Sequence, residues 1–320
     1  MKLQPYRGKH SGPQVKQITH VHVPEPVSEI PTVIPQKSSR IRPLPLIIFL
    51  LLIIFLLFGF ISPRFPVTER TEWICDDLPA AQARIRIVFV SDIHYGFCFS
   101  ESRLDNLISK INSMYPDIVI FGGDYGNDID SAIAFFNKLS EKTLHVRYKV
   151  LGVPGDTDTD HSEAQNKRLY DAMKNASVTP LFNSVDQVRI NNGSIWIAGV
   201  DDPTFGSPRV QAVASSVRQE DFVIFLAHSP AILQEAQQAT DASGKLNWFD
   251  MAFFGHTHGG QIPFLGDSLG LTYGIDSHYH TGWLDENKVP ILISNGLGTV
   301  RLPFRFFAPA QIHQIDLVAK

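Results

Sequence analysis

Five short segments carry the side chains with chemistry to offer: Asp92 and His94 in VSDIHYG, Asp124 in FGGDYGND, Asp156 in GVPGDTDTD, His228 in FLAHSP, and His256 with His258 in FFGHTHGGQI. Carboxylates mixed with imidazoles suit Mn2+, Fe or Zn2+, whereas an all-oxygen set would suit Mg2+ or Ca2+. Two such ions about 3.5–4 Å apart can hold both oxygens of an in-line displacement at phosphorus and activate the attacking water. A carboxylate such as Asp124 can bridge two ions, which an imidazole cannot. The pairs 92/94 and 256/258 are spaced i, i+2, so both side chains of a pair point the same way if the segment is extended. A lone buried histidine is usually a satisfied core residue. Core packing does not explain this whole set.

Something must bring these residues together, and each follows a short apolar run. Strands are expected at 85–90, 117–121, 146–151, 195–200, 222–226, 251–254 and 290–293, with helices at 102–114, 131–141, 162–174, 208–217 and 230–238. The helix at 102–114 shows its period in Leu104, Leu107, Ile108 and Ile111. Such alternation predicts an α/β domain with helices covering the sheets. Ligand sites in open α/β sheets lie beyond the carboxyl ends of the strands, so the seven side chains are expected on one rim.

The N-terminal part is of another kind. Residues 44–61 carry no charge and, at the helical rise, span about 27 Å, close to the thickness of a bilayer core. They are expected to form a single transmembrane anchor. The proline-rich tail at 1–43 has few aromatics and is expected to be disordered, and 62–83 reads as a linker. Residues 1–61 carry a net charge of +5 and the rest −9, giving −4 for the 320 residues. An acidic body argues against a nucleic-acid partner, and nothing calls for a protein partner. Two cysteines, Cys75 and Cys98, supply neither a disulfide framework nor a zinc quartet.

Taken in order, SDIHYG, GGDYGND, GDTD, AHSP and GHTHGGQI resemble the motifs of the calcineurin-like metallophosphoesterases, over residues 85–317. The extended GHTHGGQI and the closing ISNGLGTVRLPFRFFAPAQI are similar to a narrower branch of membrane-associated phosphodiesterases. That branch includes one type of UDP-2,3-diacylglucosamine pyrophosphatase. The resemblance implies a four-layer α/β/β/α sandwich of two mixed sheets over 84–320. It also implies one ion, expected to be Mn2+, on Asp92, His94, Asp124 and His258, and a second on Asp124, Asp156, His228 and His256. Asp124 would bridge them.

One quartet departs from the family pattern. Where Gly-Asn-His-Asp/Glu is usual, the chain reads Gly155-Asp156-Thr157-Asp158. Asp156 can replace the asparagine as an oxygen ligand and adds a negative charge. Thr157, standing in place of the usual histidine, cannot act as an acid near neutral pH. A phosphoester expels an alkoxide that needs a proton, whereas a pyrophosphate expels a stable phosphate anion. The expected reaction is therefore hydrolysis of UDP-2,3-diacylglucosamine to UMP and lipid X in lipid A biosynthesis. Arg301 and Arg305 are candidate diphosphate clamps, His280 and His278 candidate pocket residues, and His161 a candidate substitute acid. Loops bearing Phe264, Leu265, Phe304 and Phe307 could receive acyl chains or touch the bilayer. A phosphodiesterase acting on another lipid or cell-wall diester is the alternative, and a non-catalytic metal-binding scaffold the third reading. A UDP-linked substrate puts the catalytic domain on the cytoplasmic side of a bacterial inner membrane. Lys37, Arg40 and Arg42 before the anchor, against Arg64 and Arg70 after it, favour a cytoplasmic tail instead.

Overall fold

Residues 43–76, 78, 84–96, 98–159, 162–191, 193–272 and 274–320 are described in a computed structural model of the chain. The expected tail, apart from Pro43, and His161 lie outside them. Helix α1 (Pro43–Ile61) is apolar along its whole length and covers the segment expected to be the anchor. Among the described residues it is the one helix long and apolar enough to cross a membrane.

The segment expected to be a linker is not one. Within it Val67–Cys75 forms strand β1. Its partner, Gln311–Ala319 at the other end of the chain, runs parallel to it from Val67↔Gln311 to Cys75↔Ala319. Between them in sequence come β2 (Arg84–Val90), β3 (Ile118–Phe121), β4 (Lys149–Gly152), β5 (Thr179–Pro180), β6 (Ser184–Ile190) and β7 (Gly193–Gly199). They continue with β8 (Val223–Leu226), β9 (Met251–Phe254), β10 (Gly282–Glu286) and β11 (Val289–Ile293), so the last strand is β12. One sheet has the order β1-β12-β2-β3-β4-β5 and the other β10-β11-β9-β8-β7-β6. Both are mixed: β2 through β5 are mutually parallel while β12 is antiparallel to β2. In the second sheet β7, β8, β9 and β11 are parallel, with antiparallel β6 and β10 at the edges.

Side-chain alternation along the strands builds the layers. Ile87, Phe89 and Ile120 of the first sheet meet Ile197, Leu226 and Phe253 of the second in one buried cluster. Truncating one of these, Phe89 for example, would cost about 3–5 kcal/mol. Val88, Val90 and Val119 face the other way, under α2 (Glu101–Asn112), α3 (Ile129–Ser140) and α4 (Glu163–Asn175). Val223, Phe225 and Ala252 lie beneath α5 (Val210–Ala214) and α6 (Leu233–Gln238). The result is the expected four-layer sandwich. Local signals agree with it: α2 buries Leu104, Leu107, Ile108 and Ile111. Asp128 caps α3 by accepting from Ser131 N–H, with the Ser131 hydroxyl answering the cap's own N–H.

The C-terminal end of α1 packs on the two-sheet body. Phe55 stacks on Phe306 with ring centroids 4.3 Å apart. The Arg305 N–H donates to the Gly59 carbonyl at 3.0 Å, and Ser62 Oγ donates to the Arg305 carbonyl at 3.3 Å. Gly59 is required for this approach, since a Cβ there would lie 2.1 Å from Phe306 Cζ.

Candidate metal centre

Asp92, Asp124 and Asp156 follow β2, β3 and β4; His228 follows β8, and His256 and His258 follow β9. All are at carboxyl ends of parallel strands, and the two sheets bring those ends together. The i, i+2 pairs do not converge through an extended segment, as the spacing suggested. Asp92 (φ 52), His94 (φ 49), Asp124 (φ 55), His256 (φ 70) and His258 (φ 52) all occupy the left-handed region. Residues of these types pay conformational energy there, and such strain persists where the surroundings dictate it, commonly at functional sites.

Two clusters result. Ligand atoms of Asp92, His94, Asp124 and His258 lie within 4.8 Å of one another, as do those of Asp156, His228 and His256. In the first, His258 Nε2 is 3.0 Å from His94 Nε2 and 3.3 Å from Asp92 Oδ1. In the second, Asp156 Oδ1 is 3.2 Å from both His228 Nε2 and His256 Nδ1. Asp124 faces both: its Oδ2 is 3.4 Å from His94 Nε2, and its Oδ1 is 3.4 Å from His228 Nε2.

The outer contacts turn these atoms inward. His228 Nδ1 donates to the Gly122 carbonyl at 2.7 Å and His94 Nδ1 to the Gly126 carbonyl at 3.2 Å. Each ring thereby presents the lone pair of Nε2 to the centre. The His256 N–H donates to Asp92 Oδ1 at 2.9 Å. Asp92 Oδ2 and His228 Nε2 are buried without a directed hydrogen bond. Buried polar atoms without partners are costly, and a divalent cation among mixed N and O donors would satisfy both. The residues fit two such ions.

Electrostatics point the same way. Burial favours the protonated form of Asp156, yet the His228 and His256 rings close beside it outweigh it and hold the carboxyl well below its usual range. Burial also opposes charge on His228, but Asp124 and Asp156 push its pKa well above the ordinary histidine value. Carboxylates that keep a proton on His228 are equally placed to hold a cation. His258 is pushed the other way, by burial first and then by Arg305.

Thr157 is half-buried, with its Oγ1 donating to the Gly126 carbonyl at 2.7 Å and its N–H donating to Asp124 Oδ1 at 3.1 Å. Arg305 is not the diphosphate clamp that its sequence context suggested. It is 1% exposed, and its five donors reach five acceptors: the carbonyls of Gly298, His258, Ala308 and Asn295, and His258 Nδ1. A guanidinium with every N–H committed has none left for phosphate. Arg301 is exposed, at φ 57. His280 has its Nε2 3.0 Å from the Ile275 carbonyl, and its own carbonyl accepts from Thr257 Oγ1 between the two site histidines. His278 is exposed and paired with Glu286. Phe264 and Phe307 are 74% and 79% exposed, whereas Phe304 lies 5.9 Å from Phe60.

Two aspartates near the centre were given no role from the sequence. Asp158 is buried and accepts from the N–H groups of Tyr125, Gly126 and Gly155, fastening the 156 loop to the 124 loop. Gly155 allows that contact, as a Cβ there would lie 2.1 Å from Asp124 Oδ1. Asp202 follows β7, is buried, and leaves Oδ2 without a partner, while its carboxyl feels His228 and Asp156. Its signal was a polar residue after an apolar strand, the same signal that marks the other five segments.

A two-sheet sandwich with paired Asp/His clusters at its strand ends defines a metal-dependent phosphoesterase. The calcineurin-like phosphoesterase pattern matches residues 85–260, and the chain belongs to that family. The uncharacterized metallophosphoesterase YkuE of Bacillus subtilis is 31% identical over 237 residues, 71% of this chain and 77% of the relative. The uncharacterized protein YpbG of the same organism is 30% identical over 237 residues, covering 73% and 81%. A transmembrane protein with metallophosphoesterase domain from Danio rerio is 28% identical over 292 residues, 88% of this chain and 63% of that protein.

Proposed function

We propose that the chain is a membrane-anchored, two-metal hydrolase that cleaves a phosphoanhydride, with UDP-2,3-diacylglucosamine as substrate and Mn2+ as the metal. The observation that carries this reading is Thr157. Its hydroxyl is committed to the Gly126 carbonyl, and a threonine hydroxyl does not titrate near neutral pH where the family's histidine would serve as acid. A reaction without that acid needs a leaving group stable as an anion, which a nucleoside monophosphate or sugar phosphate is.

Asp92, His94, Asp124 and His258 would hold one ion, and Asp124, Asp156, His228 and His256 the other. When bound, the pair supplies Lewis-acid stabilisation of the phosphoryl oxygens and activation of water. The chain's own residues do the rest: carbonyls of Gly122 and Gly126 orient the histidines, and Asp158 sets the distance between the two loops. Exposed Phe264 and Phe307 offer apolar surface to acyl chains. A UDP-linked substrate places the domain on the cytoplasmic side of the membrane, which protease accessibility in oriented vesicles would check.

The deciding assay uses the full chain in detergent with Mn2+, UDP-2,3-diacylglucosamine and a plain phosphodiester. UMP should appear well above the level given by His256→Ala. Faster turnover of the plain diester would replace this reading with the phosphodiesterase one. No UMP above the control would reject it.

A further inference from the structure

Next to the foot of α1 lies a cavity of about 370 Å³, large enough for a small ligand and lined by none of the seven candidate metal ligands. Its wall is of two kinds. Phe65, Phe99 and Leu107 supply apolar surface, and Arg64, Arg103 and Lys110 supply three cations. A smaller cavity shares Arg64 and Arg103 and adds Phe60 and Pro63 from the end of the apolar helix.

The three cations are held without acids. Arg103 donates to the carbonyls of Cys98, Pro63 and Leu297 and lies 4.3 Å from the centre of the Phe99 ring. Arg64 donates to the Phe60 carbonyl at 2.6 Å, and Lys110 to the Pro66 carbonyl at 2.6 Å. Among the described residues, none of the three has a carboxylate within ion-pair reach. Their charged neighbours are instead cations: Arg64 beside Arg103, and Arg70 beside Lys110. Burial first, and like charge second, bring Arg103 down to about 10 and lower Lys110. Positive charges gathered around a cavity without counter-charges favour an anion. The apolar half of the wall, continuous with the helix that enters the bilayer, favours one that carries hydrocarbon.

We propose that this cavity binds an anionic phospholipid, its phosphate between Arg64, Arg103 and Lys110 and the start of its acyl chains against Phe65, Phe99 and Leu107. None of the candidate metal ligands lines it, and the proposal goes beyond the reaction proposed above. A lipid held there would fix the body against the bilayer at the level of the headgroups, where basic side chains beside membrane helices recognise acidic lipids.

The full chain in neutral detergent, titrated and read by native mass spectrometry, tests this with phosphatidylglycerol, phosphatidylcholine and inorganic phosphate as probes. One phosphatidylglycerol should be retained, at least tenfold more tightly than phosphatidylcholine, and its affinity should fall with added salt. R64Q/K110Q should weaken it about 30-fold, because each basic residue near an acidic headgroup contributes roughly fivefold. R64K/K110R keeps both charges and should retain the lipid. Equal affinity for the two lipids, no salt dependence, or inorganic phosphate held as tightly as phosphatidylglycerol would each overturn the proposal. The salt series on the unsubstituted chain decides the matter even if R64Q/K110Q unfolds.

Discussion

Arg305 donates from its buried guanidinium to Nδ1 of His258 at 3.0 Å. A guanidinium only donates, so in this contact Nδ1 accepts and the neutral ring carries its proton on Nε2, toward Asp92 and His94. An ion held through Nε2 requires that proton to move to Nδ1 and the Nη2 contact to open. Arg305→Lys would leave three donors for five acceptors. Arg305 also holds the His258 segment in place through the carbonyls of His258, Gly298 and Asn295, and outer contacts that position a metal ligand are worth about 10–100-fold in metal affinity. The variant should lose that much at the ion held by His258, and about 3 kcal/mol of stability from buried groups left unpaired. Metal content by elemental analysis and thermal unfolding check the two halves separately.

Asp124 turns one carboxylate oxygen toward each cluster. Asp124→Asn preserves size while removing the charge that two cations would share. Metal bound per chain should fall from two ions to one or none, with affinity at the remaining site reduced at least 100-fold. Two ions retained at unchanged affinity would show that Asp124 does not bridge.

In the proposed reading, Thr157 stands where the family's histidine would serve the leaving group as an acid. Thr157→His should raise turnover of an ester with a poor leaving group by about 100-fold or more, the usual range for a positioned general acid. Turnover of the UDP-lipid should change only severalfold. Equal improvement of both would remove the substrate information read from this residue.

His313 gives the fold a pH dependence separate from the site. It is 3% exposed in β12, with Nε2 3.0 Å from Ser294 Oγ, and burial lowers its pKa to about 4. Below about 6.5 the unfolded chain takes up a proton that the folded ring refuses until about pH 4. Stability is therefore fully present above pH 6.5 and falls as the pH drops through that window, by up to about 3 kcal/mol. His313→Gln should flatten the dependence of unfolding temperature on pH between 6.5 and 4. An unchanged slope would assign it to other groups.

The sequence signals were strongest where apolar runs precede polar residues. Met251–Phe254 was placed to the residue, and the strands ending before Asp92, Asp124 and His228 to within a few residues. β1 was hidden because Glu69, Arg70 and Glu72 sit in an edge strand that is half solvated, with no clean alternation to read. β12 was hidden for the opposite reason, since His313, Gln314 and Asp316 are buried polar residues in a central strand. Asp316 is held there by Arg84 and Arg86, partners far away in sequence. Arg305 was misread because spacing cannot separate an arginine that meets substrate from one that braces a ligand. The left-handed backbone at five site residues was equally out of reach, as Asp and His favour that region only modestly.

The packing of Phe55 and Gly59 on Phe306 moves the border between tether and enzyme. By hydropathy that border falls at Ile61, yet about two helical turns before it, residues 55–61, already form part of the body's wall. A shortened chain starting after Ile61 would uncover Phe306 and leave the Arg305 N–H without the Gly59 carbonyl. Because that peptide carries the guanidinium behind His258, solubility gained by trimming comes from the same residues that steady the first metal site.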